Sequence, residues 1–261
     1  MVISNKVARR QQKILEYLSS HQLATPIEIA KVFSVSGETI RKDIETLHRA
    51  GLVHRIHGGV TLIKDNKVEK SHVRRSIENV EQKKAIAAAA LEYIEPGDSI
   101  MLENGTTLNE LADALRKRES LLRSILVVTM SFRIADVLRD CPGIKLLFLG
   151  GWLREGDYMS YGQFALDNLK QLNIDKAFIS SAGLNESLML TDFYDEEVFL
   201  RRQILENSRE KVLLLDSSKM GQTKLVNVAH LSSVDMVISD VDCSEEMQHK
   251  IKEAGVKLHL T

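Results

Sequence analysis

The sequence predicts an α/β protein: an N-terminal winged helix-turn-helix unit followed by a Rossmann-like domain on a mostly parallel sheet. Three observations carry this expectation. Residues 25–47 hold two short amphipathic helices separated by a tight connection. Residues 52–62 hold two strand-like runs joined through glycines. From about residue 99 onward, short continuous apolar runs alternate with helical stretches, the pattern of parallel strands buried on both faces.

The first helix is expected over residues 6–19, where Val7, Ile14, Leu15 and Leu18 fall at helical spacing and Arg10 alone interrupts the stripe. Thr25 caps the second. Pro26 suits its first position, and Glu28 completes a capping box ahead of Ile29, Val32 and Phe33. Ser34 and Val35 are left to turn before Ser36 caps a third helix that buries Ile40, Ile44 and Leu47. Glu38, Lys42, Glu45 and Arg49 lie opposite that stripe, with Thr39 and Arg41 on its flanks. Two short helices joined this tightly cross steeply, as in a helix-turn-helix whose second helix enters a DNA major groove. The competing assignment is an ordinary helical hairpin within a larger domain. Residues 51–62 favour the groove: Gly51 is placed to end the helix, and residues 52–62 form two strands about a Gly58, Gly59 turn, a wing. Arg55 and His57 share one side of its first strand, in reach of phosphate or minor groove, and Leu52, His54 and Ile56 share the other.

The charge is divided to match. The chain has 261 residues and a formal charge of −1. Its first 60 residues carry nine Lys or Arg against five acids, a surplus of +4 that leaves −5 for the remainder. Hydrophobic residues make up 44%, enough for a sizeable core. Cys141 and Cys243 are far apart and outside any ligand-like cluster, so neither a disulfide framework nor a zinc site is expected. His48, His54 and His57, without Cys or paired acids, are expected on helix and wing surfaces rather than around a metal. No stretch approaches the roughly 18 apolar residues of a membrane span, and the start lacks a signal-like run, so a cytoplasmic location is expected.

Expected domains are residues 1–63, a charged linker over 64–80 and an α/β domain over 81–261. Within the last, a helix is expected over 83–93. Strands are expected at 99–102, 125–129, 144–149, 177–180, 212–216 and 236–239, with helices at 107–118, 132–139, 162–171, 195–207 and 244–254. In such sheets ligands sit beyond the carboxyl ends of the strands. The segments there are small or polar: Glu103 to Thr107, Thr129 to Ser131, Gly150 and Gly151, Ser180 to Gly183, and Asp216 to Lys219. Gly105, Thr106 and Thr107 open a helix, so free N–H groups and hydroxyls converge where an anion can rest, and Lys219 offers it a point charge. Glu103, Asn104 and Thr129 are left for hydroxyls. Taken singly, each is equally an ordinary strand-to-helix turn; their recurrence at successive strand ends points to a small phosphorylated ligand. The phosphate loop of NTPases, the dinucleotide glycine fingerprint and the hydrolase nucleophile elbow are all missing, and no cofactor is expected.

Val35, Ser36, Thr39 to Ile44, Leu47, Gly51, Leu52, Arg55 and His57 to Gly59 together resemble the winged-helix signature of the DeoR family of bacterial transcription regulators. Gly105 to Thr107, Thr129, Gly150, Gly151, Gly162, Asp216 to Lys219 and Gly221 resemble that family's sensor domain, so the resemblance spans nearly the whole chain. It implies a fold similar to ribose-phosphate isomerases and a sugar-phosphate or related effector. Two positions depart from the pattern: Glu103 where the family usually has Asp, and Met130 where Asn often follows the strand-end Thr. Both flank the expected pocket and leave room for an unusual effector.

The expected function is thus a DNA-binding repressor of a carbohydrate-utilisation operon, controlled by a sugar phosphate and acting as a dimer or tetramer. Ser36, Thr39, Arg41 and Lys42 are expected in the major groove, with Arg55 and His57 at the backbone. Effector residues are expected to be Glu103, Asn104, Gly105, Thr106, Thr107, Thr129, Gly150, Gly151 and Lys219. The rival is a sugar-phosphate isomerase-like enzyme fused to a winged domain, with Glu103 as general base and Lys219 as electrophile. A third reading, a winged domain that binds protein, runs against the N-terminal positive charge.

Overall fold

The structure, a computed structural model, describes residues 5–21, 23–49, 52–56, 59–62, 72–154, 156 and 158–261. The chain forms two compact units, Met1–Glu78 and Asn79–Thr261. Among the described residues no helix is long and apolar enough to cross a membrane.

In the first unit, α1 (Asn5–Ser20), α2 (Pro26–Val32) and α3 (Gly37–Arg49) precede the strands β1 (Val53–Ile56) and β2 (Gly59–Leu62). Ile14, Leu15, Leu18, Ile29, Ile40, Ile44, Leu47, Val53 and Val60 make one core. The arginine that interrupts the stripe of α1 is accounted for by α3: Arg10 Nε donates to Asp43 at 2.5 Å, and Gln11 donates to the same carboxylate at 3.0 Å. Asp43 is only 2% exposed, so its hydrogen bonds replace the water it loses. The capping box of α2 forms as expected, with Thr25 Oγ1 accepting from Glu28 N and the Glu28 carboxylate accepting from Thr25 N. The turn is made by Phe33, Ser34 in a left-handed conformation (φ 52°) and Val35, whose N–H returns to Ala30 O.

The wing departs from expectation at its turn. β1 and β2 are antiparallel and close on the pair Ile56 and Gly59, so Gly59 belongs to a strand and not to the turn. Residues 57 and 58, and the expected helix end at Gly51, lie outside the described residues. Gly59 is needed for another reason: a Cβ there would stand 2.8 Å from Ala24 O, where residue 24 pairs with Val60 and adds a third segment to the ribbon. Burial along β1 does not alternate. Leu52 and Val53 are both buried, whereas Ile56 is exposed. Part of the expected linker is ordered as α4 (His72–Ile77), which packs on α1 and contributes Ile77 to the core. Residues 63–71 lie outside the described residues.

In the second unit the elements run α5 (Val80–Leu91), β3 (Ser99–Leu102), α6 (Thr106–Leu115), α7 (Glu119–Leu122), β4 (Leu126–Thr129), α8 (Phe132–Leu138), β5 (Lys145–Phe148), β6 (Trp152–Leu153), β7 (Ser160–Tyr161) and α9 (Gln163–Leu169). They continue with β8 (Ile174–Ile179), β9 (Gly183–Leu184), β10 (Met189–Asp192), α10 (Asp195–Asn207), β11 (Ser208–Leu214), β12 (Val226–His230), β13 (Met236–Ser239), α11 (Glu245–Glu253) and β14 (Lys257–Leu260). Seven of these strands form a wholly parallel sheet in the order β14, β13, β11, β8, β3, β4, β5. Side chains alternate between its faces: Ile100 and Leu102 pack with α5, α6 and α8, and Met101 packs on the opposite side with α9, α10 and α11. The chain builds outward from β3 to β5, returns to β8 beside β3, and builds outward again to β14. The reversal lies between β3 and β8.

Several elements carry no signal in the sequence. β6 with β7, and the three-stranded sheet β12, β10, β9, are antiparallel additions to the parallel layout. They are two to five residues long, too short for periodicity to register. β8 and β11 also begin earlier than their apolar runs, at Ile174 and Ser208.

Candidate functional site

On α3 the outer face is polar. Arg41 and Lys42 are exposed, and the contact of Lys42 with Glu38 is a loose one at 3.9 Å between exposed groups, which a phosphate can displace at small cost. Ser36 acts as the helix cap, its Oγ accepting from Thr39 N at 3.2 Å and lying 2.8 Å from Thr39 Oγ1. Arg55 is exposed on β1, and His57 lies outside the described residues. His48 is tied to Val53 O through Nδ1 at 2.9 Å, a structural use that joins the end of α3 to the wing.

In the second unit the strand order reverses between β3 and β8, and it is beyond the carboxyl ends of strands at such a reversal that open α/β sheets bind ligands. The polypeptide leaves β3 through Glu103, Asn104 and Gly105, the last at φ 150°, and enters α6 at Thr106. All of these residues are buried, and two polar atoms in this stretch have no hydrogen-bond partner: Asn104 Oδ1 and Thr107 Oγ1. Glu103 and Lys219 converge on Ser180 at the end of β8. Glu103 Oε2 accepts from Ser180 N at 3.1 Å, and Lys219 Nζ donates to Ser180 Oγ at 3.3 Å. β3 and β11 are separated by β8, so the start of α6 and the root of the Lys219 turn are about 10 Å apart across the sheet.

The other expected residues are not drawn into this group. Thr129 is fully buried at the end of β4, and its Oγ1 accepts from Ser131 N. Gly150 and Gly151 follow β5, two strands from β3. A Cβ on Gly151 would stand 2.4 Å from Tyr161 O, so the close approach of β7 already requires glycine there.

Four residues that composition and spacing did not single out complete the site. Arg201 on α10, 3% exposed, gives Nε to Glu103 Oε1 at 2.6 Å, Nη1 to Asp192 and Nη2 toward Glu197 at 3.7 Å. Glu197 is also paired with Arg154, whose guanidinium lies 3.6 Å from the ring centroid of Tyr194. Burial by itself works to lower the Arg201 guanidinium; the three carboxylates outweigh it and raise the group above its ordinary value. Burial likewise works to raise the Asp192 carboxyl, but Arg201 and the Phe193 N–H keep it below the usual range. For Glu103 burial prevails and pushes the carboxyl up, against the pull of Arg201 and Ser180 N. Asp216, at the head of the Lys219 turn, resists its burial in the same way as Asp192, through Lys219, the Ser218 hydroxyl, Lys83 and the Asn79 amide. The sequence did carry one signal for Arg201. It stands on the stripe of Val198, Ile204 and Leu205, where a cation needs a buried partner.

Family models match both units. Residues 10–66 match the DeoR-like helix-turn-helix domain, and residues 78–241 match the DeoR C terminal sensor domain. The chain belongs to the DeoR family. This DeoR-family regulator is 34% identical over 239 residues to the lactose phosphotransferase system repressor of Lactococcus lactis, covering 91% of this chain and 92% of that protein. It is 29% identical over 255 residues to the glycerol-3-phosphate regulon repressor of Escherichia coli, covering 98% and 99%. An uncharacterised HTH-type transcriptional regulator of Bacillus subtilis is 31% identical over 252 residues, covering 97% and 96%. Among solved structures, ribose 5-phosphate isomerase A of Methanocaldococcus jannaschii aligns over 55% of each chain at 19% identity with a TM-score of 0.41, too low to bear on chemistry.

Proposed function

We propose that this DeoR-family protein represses a carbohydrate-utilisation operon and that a phosphorylated sugar or related metabolite, bound without turnover, alters its affinity for operator DNA. The observation that carries the proposal is the group of buried polar residues at the reversal of strand order. There the start of α6, with the unpartnered Asn104 Oδ1 and Thr107 Oγ1, follows β3, and the ammonium of Lys219 reaches Ser180 at the end of the neighbouring β8. The N–H groups of Gly105, Thr106 and Thr107 and the charge of Lys219 take the phosphate, and Asn104 takes hydroxyls. Both oxygens of Glu103 are engaged by Arg201 and Ser180, so its part is to shape the site rather than to grip a hydroxyl. Thr129 ends β4 beside β3 with its hydroxyl accepting from Ser131 N, and Gly150 and Gly151 lie farther along the sheet, within reach of a long ligand only. The names of the lactose and glycerol-3-phosphate repressors support a sugar-related effector.

The same engagement weakens the enzyme alternative, because a carboxylate 2.6 Å from a guanidinium is a poor general base. A thermal-shift screen against glycerol 3-phosphate, glucose 6-phosphate and fructose 1-phosphate, with the unphosphorylated compounds as controls, tests the ligand class. Lys219→Ala is expected to abolish the effector's influence and to leave operator binding in its absence intact. Isomerisation of any of these phosphates at a rate eliminated by Glu103→Gln would establish the enzyme instead.

In the first unit, Arg41 and Lys42 supply the major-groove contacts beside Thr39, with Ser36 fixing the helix start and Arg55 and His57 on the phosphate backbone. A single recognition helix spans few base pairs, so the protein acts as a dimer or tetramer. Support comes from the edge strand β5 and from the exposed Trp152, Leu153 and Phe164. Sedimentation at micromolar concentration should show a species heavier than the 29.4 kDa chain; a monomer both with and without operator would refute this.

A further inference from the structure

Asn79 is the first residue of the second unit, immediately after the last residue of the first. Two residues before it, Ile77 ends α4 inside the core of the DNA-binding unit, and α4 packs on α1. Directly after it begins α5, whose first backbone turn closes on Asn79 through Lys83 N to Asn79 O at 3.0 Å. Asn79 stands in the left-handed region, φ 52° and ψ 41°, which non-glycine residues adopt sparingly.

The side chain of Asn79 is not used as a cap for α5. It reaches 137 and 139 residues along the chain instead. Its Nδ2 donates to Asp216 Oδ1 at 2.9 Å and to Ser218 Oγ at 3.0 Å. Ser218 Oγ in turn donates to Asp216 Oδ1, so the three side chains close a small ring. The next residue in that turn is Lys219, whose ammonium interacts with the Asp216 carboxylate and reaches Ser180. The far side of the turn is pinned too: Ser217 N donates to Asp240 Oδ2 at 2.7 Å.

We infer that Asn79 is the positioning residue that carries ligand occupancy at the Lys219 turn to the junction with the DNA-binding unit. The inference rests on the sugar-phosphate assignment of the site. A dianionic phosphate that takes the Lys219 ammonium competes with Asp216 for its charge, and Asp216 is one of the two acceptors that hold the Asn79 amide. The strength and geometry of that hold therefore differ between the free and the occupied turn. The difference enters the chain at the left-handed residue from which α4 and α5 depart in opposite directions along the sequence. Effector control needs a ligand that prefers one of two arrangements, and the ring of Asn79, Asp216 and Ser218 is an element that both the ligand and the junction bias.

The variant that isolates this role is Asn79→Gly, because glycine adopts the left-handed conformation without strain and removes only the amide. Asn79→Asp is its companion, placing a carboxylate against Asp216. Hydrogen–deuterium exchange is measured on the full chain with and without saturating ligand, using whichever of glycerol 3-phosphate, glucose 6-phosphate and fructose 1-phosphate gives the largest thermal shift. In the wild-type protein, exchange is expected to change at residues 103–107 and 216–219 and also at 72–77. In both variants the changes at 103–107 and 216–219 persist, and those at 72–77 are lost. In parallel, the ligand's effect on binding to a duplex selected from a random-sequence pool, on the order of 10-fold in the wild type, falls below about 2-fold in Asn79→Gly, while ligand affinity of the DNA-free protein stays within about 3-fold. If residues 72–77 respond equally in wild type and variants, the role of Asn79 is refuted and the ligand assignment stands. If the wild type shows no change at 103–107 or 216–219 with any of the three phosphates, the ligand assignment falls and this inference with it.

Discussion

Arg201→Ala is expected to cost the sensor unit about 3 to 5 kcal/mol, lowering its unfolding midpoint on the order of 10 °C, as measured by calorimetry or by circular dichroism. The residue is 3% exposed and is surrounded by Glu103, Asp192 and Glu197. Removing it strands carboxylates in a volume too dry to solvate them. Lysine is expected to rescue only partly, since one ammonium cannot reproduce three donor directions toward three acceptors. The pH profile supplies a second readout. In the wild type, Asp192 and Asp216 titrate below their ordinary value of 3.8, so their contribution is present above that pH and is lost as pH falls through the depressed folded values. Without Arg201 the sign reverses for Asp192 and the rise already present at Glu103 grows. Burial then holds both carboxyls above their unfolded values, and stability declines as pH rises past those values toward neutrality. A variant with wild-type stability, or with the wild-type slope, would show that the cluster is not a balanced buried network.

The second large effect is expected at the recognition helix. The Arg41→Ala, Lys42→Ala double variant should lose on the order of 100-fold or more in operator affinity, because a base-reading arginine contributes about 1 to 3 kcal/mol and a phosphate contact adds to it. The two components separate by their salt dependence. Loss of the Lys42 contact should reduce the slope of log K against log salt by about 1, and loss of Arg41 should narrow the gap between operator and unrelated DNA. Both side chains are exposed on α3 and make no contribution to its buried stripe, so stability should be unchanged. Unaltered operator affinity in a folded double variant would move the interface elsewhere.

Much of the molecule is legible wherever a few consecutive residues set the structure. Thr25, Pro26 and Glu28 specify the start of α2 within four residues, and the capping box closes on those residues. Ile40, Ile44 and Leu47 place one face of α3 in the core, which leaves Arg41 and Lys42 outward whatever surrounds them. Continuous apolar runs mark six of the seven parallel strands and so place the polar segments beyond them at one end of the sheet. Which of those strand ends are neighbours became fixed only on folding. Strand order is set by packing between residues far apart in sequence, so the convergence of Glu103, Ser180, Lys219 and Arg201, through hydrogen bonds that span up to 98 residues, had no local signature. The same holds for Arg10 with Asp43 and for Arg201 with its three acids: each arginine is visible as a break in an apolar stripe, but its partner is not. Glycines divide along this line too. Gly105 is required by its own backbone angle, whereas Gly59 and Gly151 are glycine only because another segment passes within van der Waals distance of where a Cβ would be. A backbone angle is a property of a few consecutive residues; an approach between segments exists only once the chain has folded.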